Sequence, residues 1–209
     1  MTVSLQQALA RMPLVAILRG IAPEQCVAIG RMLVDEGFSI VEVPMNSPQP
    51  LISIERLAEA IGDQALIGAG TVLNDAQVTQ VASAGGRLVV SPNANAQVVL
   101  SSCAAGLYSM PGFATASEAF AMLDAGADAL KLFPAEASTP QVLKALRAVL
   151  PADVAVLPVG GIGVDTMASW RVAGAAGFGL GSSLYRAGDD VEIVRARARD
   201  LVAAWRALA

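Results

Sequence analysis

Residues 124–132, Asp-Ala-Gly-Ala-Asp-Ala-Leu-Lys-Leu, connect the end of a predicted helix to a short apolar strand. Thr115 and Glu118 have the spacing of a capping box that starts this helix, and glycine is the residue type that most often ends one. A small-residue turn with glycine before an apolar run occurs again at residues 35–38, 84–87 and 172–175. The repetition predicts short helix-to-strand connections along the whole chain.

Eight short apolar runs follow this pattern, and a segment of helical periodicity follows each of them. The runs are residues 14–18, 39–43, 65–69, 88–90, 107–110, 129–132, 154–159 and 176–180. Nearly continuous apolarity is typical of parallel strands that are covered on both faces. We therefore predict a single (β/α)8 TIM-barrel domain over residues 1–209, an eight-stranded parallel barrel with a C-terminal closing helix from about Asp189 to Trp205. An open doubly wound sheet is the alternative.

The composition excludes several classes of partner. The 209 residues are 55% hydrophobic and 15% charged, with a formal net charge of −4. Because the chain has no basic stripe that could neutralise a phosphate backbone, we expect no nucleic-acid partner. The longest charge-free stretch, residues 88–117, is interrupted by polar residues and by Pro92 and Pro111. It therefore predicts no transmembrane helix, and we expect no membrane partner.

The cysteine and histidine counts restrict the chemistry further. Cys26 and Cys103 lie far apart in the sequence, which favours neither a disulfide framework nor a cysteine zinc site and predicts a cytoplasmic protein. Gln6 and Arg11 fall where a signal peptide would be apolar, so we expect no secretion signal. The chain has no histidine. Ser-His-Asp triads and histidine metal sites are therefore excluded, and we expect no metal.

Lys131 is the first candidate catalytic residue. The chain has two lysines, and Lys144 lies in a polar helical segment whereas Lys131 lies inside an apolar strand. Burial disfavours the charged amine and lowers its pKa, which is the condition for a nucleophile that forms a Schiff base. The alternative is a structural lysine paired with an inward-facing carboxylate.

Glu42 and Arg19 are two further charges at predicted strand ends. Glu42 is a lone carboxylate in the second apolar run, and a barrel would bring it towards Lys131. Glu42 is then either the counter-ion of Lys131 or a proton shuttle. Arg19, at the end of the first run, can contact either end of an anionic substrate.

Two glycine-rich turns follow the seventh and eighth runs. They contain Gly160 and Gly161 in one turn, and Gly181 with Ser182 in the other. Free backbone amides at helix N-termini bind phosphate, and these two loops commonly do so in barrels. One glycine pair alone would be explained by tight-turn geometry, but both pairs at these positions favour a phosphate site.

An ordered set of segments resembles the class I 2-keto-3-deoxy-6-phosphosugar-acid aldolases along the entire chain. The segments are residues 17–20 (Ile-Leu-Arg-Gly), 41–44 (Val-Glu-Val-Pro), 68–72 (Gly-Ala-Gly-Thr-Val), 91–93 (Ser-Pro-Asn), 129–134 (Ala-Leu-Lys-Leu-Phe-Pro), 158–161 (Pro-Val-Gly-Gly) and 179–182 (Gly-Leu-Gly-Ser). The resemblance implies a homotrimer that needs neither cofactor nor metal. Its implied substrates are a phosphorylated 2-keto-3-deoxy sugar acid and pyruvate.

The resemblance also implies roles for individual residues. Lys131 would form the imine, and Glu42 would donate and accept the proton. Other residues in the matched segments would bind substrate; these are Arg19, Thr71, Pro92, Phe133, Val159, Gly160, Gly161, Gly181 and Ser182.

Two segments indicate a branch of this family. Members that act on the gluconate-derived substrate tend to have Glu-Val-Thr-Leu-Arg-Thr after strand two and Thr-Gly-Gly after strand seven. This chain has Glu-Val-Pro-Met-Asn-Ser at residues 42–47 and Val-Gly-Gly at residues 159–161, which is similar to the branch for 2-dehydro-3-deoxy-6-phosphogalactonate. Without that arginine, Thr71, backbone amides or Arg19 would bind the carboxylate of pyruvate.

The resemblance predicts a carbon–carbon lyase that releases pyruvate and D-glyceraldehyde 3-phosphate. The nearest alternative is the gluconate epimer, or 4-hydroxy-2-oxoglutarate, as substrate. A phosphosugar isomerase and a non-catalytic phosphometabolite-binding barrel are the alternatives from other classes, and neither needs a solitary buried lysine.

Overall fold

The computed structural model describes residues 3–208 and contains parallel strands that alternate with helices. The strands are β1 (Leu14–Ile17), β2 (Ile40–Pro44), β3 (Leu66–Gly70), β4 (Leu88–Val90), β5 (Tyr108–Met110), β6 (Gly112–Phe113), β7 (Leu130–Leu132), β8 (Val156–Pro158) and β9 (Phe178–Leu180). The predicted apolar runs supply all of these strands except β6.

A helix precedes β1, and others connect most of the consecutive strands. The α-helices are α1 (Leu5–Arg11), α2 (Pro23–Asp35), α3 (Pro50–Ile61), α4 (Asp75–Ser83), α5 (Ala96–Ala104), α6 (Ala116–Asp124), α7 (Pro140–Arg147), α8 (Val164–Val172) and α9 (Val191–Arg206). The predicted capping box is confirmed, because Thr115 accepts from the Glu118 backbone while the Glu118 carboxylate accepts from the Thr115 backbone. The predicted closing helix corresponds to α9.

The prediction of a closed eight-stranded TIM barrel is wrong. Within residues 3–208, the strands form a six-stranded sheet in the order β5-β4-β3-β2-β1-β9 and a separate three-stranded sheet in the order β6-β7-β8. All strand pairs are parallel. The architecture is therefore a distorted, incomplete (β/α)8 barrel with two interruptions.

Proline residues lie at both interruptions. Pro111 separates β5 from β6, and its carbonyl accepts from the Lys131 amide at 2.9 Å, so the chain changes from one sheet to the other at this residue. At the second interruption, the Ala176 amide donates to the Val156 carbonyl, so the backbone of Val156 faces the β9 side. Backbone groups of successive strand residues face opposite neighbours, and Pro158, two residues after Val156, therefore also faces β9. Proline has no amide hydrogen to continue the ladder there. An isolated bridge between Val159 and Gly179 also joins the two sheets.

The side chains of the strands form two apolar layers. Outward-facing residues pack against the helices, and inward-facing residues form an inner cluster that includes Ile17, Ile40, Leu66 and Leu157. Leu5 of α1 belongs to the same inner cluster, and the Ser39 hydroxyl donates to the Ala8 carbonyl at 2.8 Å. Helix α1 therefore covers the amino ends of the strands, and their carboxyl ends remain accessible.

Each helix in the described range 3–208 is too short or too polar to span a lipid bilayer.

Candidate active site

Lys131 lies on the inner face of β7. Ala129 and Phe133, two residues before and two residues after it, belong to or pack against the inner cluster. Side chains two residues apart on a strand share a face, so Lys131 faces inward with them. Its side chain is 5% exposed, and its Nζ atom lies 4.6 Å from the centroid of the Phe133 ring. Burial lowers the pKa of Lys131, the positive charge of Arg19 acts in the same direction, and Glu42 opposes them. A larger share of the amine is therefore neutral than in an exposed lysine.

Glu42 occupies the corresponding inner position on β2. Its side chain is 2% exposed, and its Oε2 atom has no hydrogen-bond partner. Burial raises the pKa of Glu42 to about 7, although the charges of Lys131 and Arg19 and a contact with the Gly70 backbone lower it. A carboxyl group with this pKa can both accept and donate a proton near neutral pH.

Lys131 and Glu42 influence each other without forming a close ion pair. Each changes the pKa of the other, but no pair of 4.0 Å or less joins them among residues 3–208. Asp128, the acidic residue nearest to Lys131 in sequence, accepts instead from the Ser109 amide at 2.8 Å. This arrangement favours a chemical role for Lys131 over a purely structural pairing.

A cavity of about 410 Å³ opens at the carboxyl ends of β1, β7, β8 and β9. This volume is within the range that binds small metabolites. Lys131 lies in its wall, and the other predicted site residues that line it are Arg19, Phe133, Val159, Gly160, Gly161, Gly181 and Ser182.

A second cavity of equal volume lies near the amino ends of β3 and β4, where Asp63 and Arg87 are among its lining residues. Volume alone therefore does not identify the site. The buried lysine and the convergence of predicted residues favour the cavity at the carboxyl ends.

The glycines of the first turn adopt conformations that other residues rarely take. Gly160 has a φ of 110° and Gly161 a φ of 65°. Turn geometry therefore accounts for glycine at both positions, as the structural alternative expects. Both still face the cavity, so phosphate binding at this turn stays a prediction.

Gly181 differs from these two glycines. A Cβ atom placed on it would meet no atom within 4 Å, and its φ lies outside the left-handed region. Neither strain nor packing requires glycine there. Access of a ligand to the backbone is a consistent reason for glycine at residue 181.

Three predicted residues lie outside the cavity lining. Glu42 is buried beside it, on the next strand. Thr71 directly follows β3 and has a φ of 56°, an unusual and strained value for a β-branched residue that often marks a functional position. Pro92 is half-buried after β4, where its carbonyl lies against Gly112 of β6.

The sequence interpretation missed two charged residues of the cavity. Glu136 and Arg186 both line it, and the Arg186 Nε atom donates to the Ser182 carbonyl at 3.2 Å. The carboxylate of Glu136 lies over the Gly160–Gly161 turn. The available signal was their position, since Glu136 follows β7 and Arg186 follows β9 within a few residues.

Arg19 is exposed, lines the cavity, and its Nη1 atom donates to the Asn46 side chain at 3.4 Å. Across residues 3–208, no three cysteine, aspartate or glutamate side chains are grouped so that they could hold a metal ion.

Comparison with known proteins identifies relatives along almost the full chain. The family profile described as KDPG and KHG aldolase matches residues 5–196. The 2-dehydro-3-deoxy-6-phosphogalactonate aldolase of Escherichia coli K12 is 50% identical, over 94% of this chain and 96% of the relative.

Two solved structures are also similar. One, described as a native KDPGal structure, is 49% identical with a TM-score of 0.93 over 95% of this chain and 96% of its own. The other is a KDPG aldolase from Legionella pneumophila, in which pyruvate was captured at low pH as a covalent carbinolamine intermediate. It is 26% identical with a TM-score of 0.78 and covers 97% of each chain.

Proposed function

The chain belongs to the family of KDPG and KHG aldolases, and we propose that it cleaves 2-dehydro-3-deoxy-6-phosphogalactonate to pyruvate and D-glyceraldehyde 3-phosphate through an imine on Lys131. The predicted family and the predicted carbon–carbon lyase activity are confirmed. The observation that carries the proposed mechanism is the buried Lys131, which lies in the cavity wall with a lowered pKa. The isomerase and the non-catalytic barrel are not retained as alternatives.

The first half of the proposed reaction builds the imine. The neutral amine of Lys131 attacks the C2 carbonyl of the substrate and forms a carbinolamine. Loss of water gives a protonated imine, which can accept an electron pair. The covalent carbinolamine that pyruvate forms in the Legionella aldolase supports this step.

The second half breaks the bond between C3 and C4. The Glu42 carboxylate accepts the proton of the C4 hydroxyl, the aldehyde leaves, and the electron pair of the broken bond forms an enamine with the imine. Glu42 then returns the proton to C3, and water hydrolyses the pyruvyl imine to pyruvate and the free amine. A pKa of about 7 suits Glu42 to both transfers.

We place the two anionic ends of the substrate at different parts of the site. The turns with Gly160, Gly161, Gly181 and Ser182 would bind the phosphate through backbone amides. Thr71 and Arg19 would contact the carboxylate. The gluconate epimer stays the alternative substrate.

Borohydride trapping with pyruvate tests the imine. Reduction should attach pyruvate to the protein covalently, and peptide mass spectrometry should find the adduct on Lys131. Lys144→Arg is the matched control, because it removes the other lysine and should leave the adduct intact. An intact protein without an adduct, or an adduct confined to Lys144 or the amino terminus, contradicts the mechanism. Comparing kcat/KM for the two epimers then tests the substrate.

We also propose a cytoplasmic homotrimer. Exposed apolar side chains on and beside α7 and α8 support association between copies, since Val142 is 43%, Val149 58% and Val172 89% exposed. Light scattering coupled to size-exclusion chromatography should give the mass of three chains. A monomer at micromolar concentration contradicts this proposal.

A further inference from the structure

Strands β2 and β3 place Gly70 on the same inner face as Glu42. In their parallel register, Glu42 pairs with Gly68 and Pro44 pairs with Gly70. The Met45 amide donates to the Gly70 carbonyl at 2.7 Å, which fixes the strand ends relative to each other. Because side chains alternate along a strand, Gly70 and Gly68 face the interior together.

The carboxyl group of Glu42 occupies the volume that a side chain at residue 70 would fill. A Cβ atom placed on Gly70 would overlap Oε1, Oε2 and Cδ of Glu42, and these are its three nearest neighbours. The same construction on Gly68 meets the backbone and Cβ atom of Leu88 instead. Gly68 is therefore required for strand packing, whereas Gly70 makes room for one functional group.

The carboxyl group of Glu42 also contacts the Gly70 backbone. The Oε2 atom of Glu42 has no hydrogen-bond partner, and Lys131 forms no close ion pair with it. Glu42 is 2% exposed, so its carboxyl group is buried away from solvent. Any atom added to Gly70 must displace it within the buried interior.

We propose that Gly70 is a positioning residue that sets where the Glu42 carboxyl group lies relative to the substrate imine. The proposal rests on the proposed function, in which Glu42 transfers the proton. Gly70 acts through Glu42 and has no reacting atom of its own.

The test is exchange of the pyruvate methyl hydrogens with solvent in Gly70→Ala. Borohydride trapping should persist, because Lys131 is unchanged, while exchange should slow about 10²-fold, as expected for a displacement of roughly 1 Å. Gly106→Ala is the control for backbone strain, since its positive φ of 70° disfavours alanine while its Cβ atom would meet nothing within 4 Å, Glu42 included. It should exchange at the wild-type rate. Equal exchange in Gly70→Ala and wild type overturns the proposal.

A shorter acid should relieve the overlap. Aspartate at residue 42 withdraws the carboxyl group by one methylene, so Gly70→Ala combined with Glu42→Asp should lose less exchange activity than the product of the two single losses. A loss equal to that product means that the two positions act independently, and it overturns the proposal.

Thermal unfolding tests the contact even if Gly70→Ala folds poorly. The drop in Tm caused by Gly70→Ala should be smaller in a Glu42→Ala background, where the overlapping atoms are absent. The drop caused by Gly106→Ala should be equal in both backgrounds. Equal drops for Gly70→Ala overturn the proposal. Wild-type protein that traps no pyruvate refutes the proposed function instead, and leaves this comparison of Tm values meaningful.

Discussion

Lys131 and Glu42 lie on the same inner face of the strands, both almost fully buried, and no ion pair of 4.0 Å or less joins them. A close pair would hold both groups in their charged forms. At the greater separation, burial dominates, so the pKa of Lys131 is lowered and that of Glu42 is raised to about 7. The first shift favours the neutral amine that attacks the carbonyl, and the second lets the Glu42 carboxyl group both accept and donate a proton near neutral pH.

Lys131→Arg should abolish both cleavage and the trapped pyruvyl adduct. Guanidinium stays protonated at working pH and cannot attack a carbonyl, although it preserves a positive charge beside Glu42. Turnover and borohydride trapping measure the two losses separately. Near-normal cleavage by this variant would rule out the imine on Lys131.

Glu42→Gln should still bind pyruvate and form the adduct, but exchange of the methyl hydrogens should slow by about 10² to 10⁴. The wild-type exchange rate should show an ionisation near pH 7, which the amide removes. Rate measurements from pH 5 to 9 check both statements. A variant with unaffected exchange would make Glu42 a structural residue only.

The same substitution has an expected signature in stability. The folded pKa of Glu42 lies above its ordinary value of 4.5, so its contribution to stability is fully present below pH 4.5 and is lost as pH rises through about 7. Glutamine cannot ionise. The Tm of Glu42→Gln minus that of wild type should therefore increase between pH 5 and pH 8, and a constant difference contradicts the raised pKa.

Local sequence signals predicted most of the fold and part of the site. Apolar runs predicted the strands because each strand is covered on both faces, and Lys131 was conspicuous because a charge inside such a run is costly. The prediction of a closed barrel was wrong because hydrogen bonding across the two interruptions depends on which neighbouring strand the backbone of Pro111 and of Pro158 faces. Register between distant strands determines that direction, and the apolar pattern does not contain it.

The sequence predicted that Glu42 approaches Lys131, but it did not predict two other contacts between distant residues. The β2–β3 register shows that Gly70 makes room for Glu42. Glu136 faces the Gly160–Gly161 turn because the chain folds back after β7. Neither relationship follows from spacing along the chain.

Gly181→Leu should raise KM for D-glyceraldehyde 3-phosphate more than KM for pyruvate in the condensation direction. Its Cβ atom has open space and an unstrained backbone, so the protein should fold, while the added side chain blocks approach of the dianion to the backbone amides. The positive φ of Gly161 would mix strain into the same test at that residue. Equal increases for both substrates would argue against a phosphate site at this turn.

Glu136→Gln should lower KM for the phosphorylated aldehyde several-fold at low salt. The carboxylate lies beside the Gly160–Gly161 turn, where it would repel a phosphate dianion, and an exposed charge is screened as ionic strength rises. Kinetics at two salt concentrations measure the effect. Glu55→Gln, an exposed substitution outside the cavity lining, is the control. If the Glu136 carboxylate instead accepts a required hydrogen bond from substrate, KM will rise.

Val159→Thr should shift the ratio of catalytic efficiencies towards the gluconate epimer. Val159 is 7% exposed, and its backbone is held by bonds to the Leu132 carbonyl and the Ala135 amide, so its side chain has a fixed place in the cavity wall between Lys131 and the glycine turn. Valine leaves that wall apolar. A substrate hydroxyl buried against it without a partner costs about 1–3 kcal/mol, whereas a threonine hydroxyl could bond one C4 configuration.

The wild-type preference for the galactonate epimer should not exceed about 100-fold if this one contact decides it, because one hydroxyl in an apolar wall discriminates by no more than that. Val159→Ala is the same-site control, since it removes apolar volume and adds no hydroxyl. Initial rates with both epimers give the ratio of kcat/KM for each protein. Threonine should change the ratio and alanine should not. An active threonine variant with the wild-type ratio would assign the discrimination to other residues that contact C4.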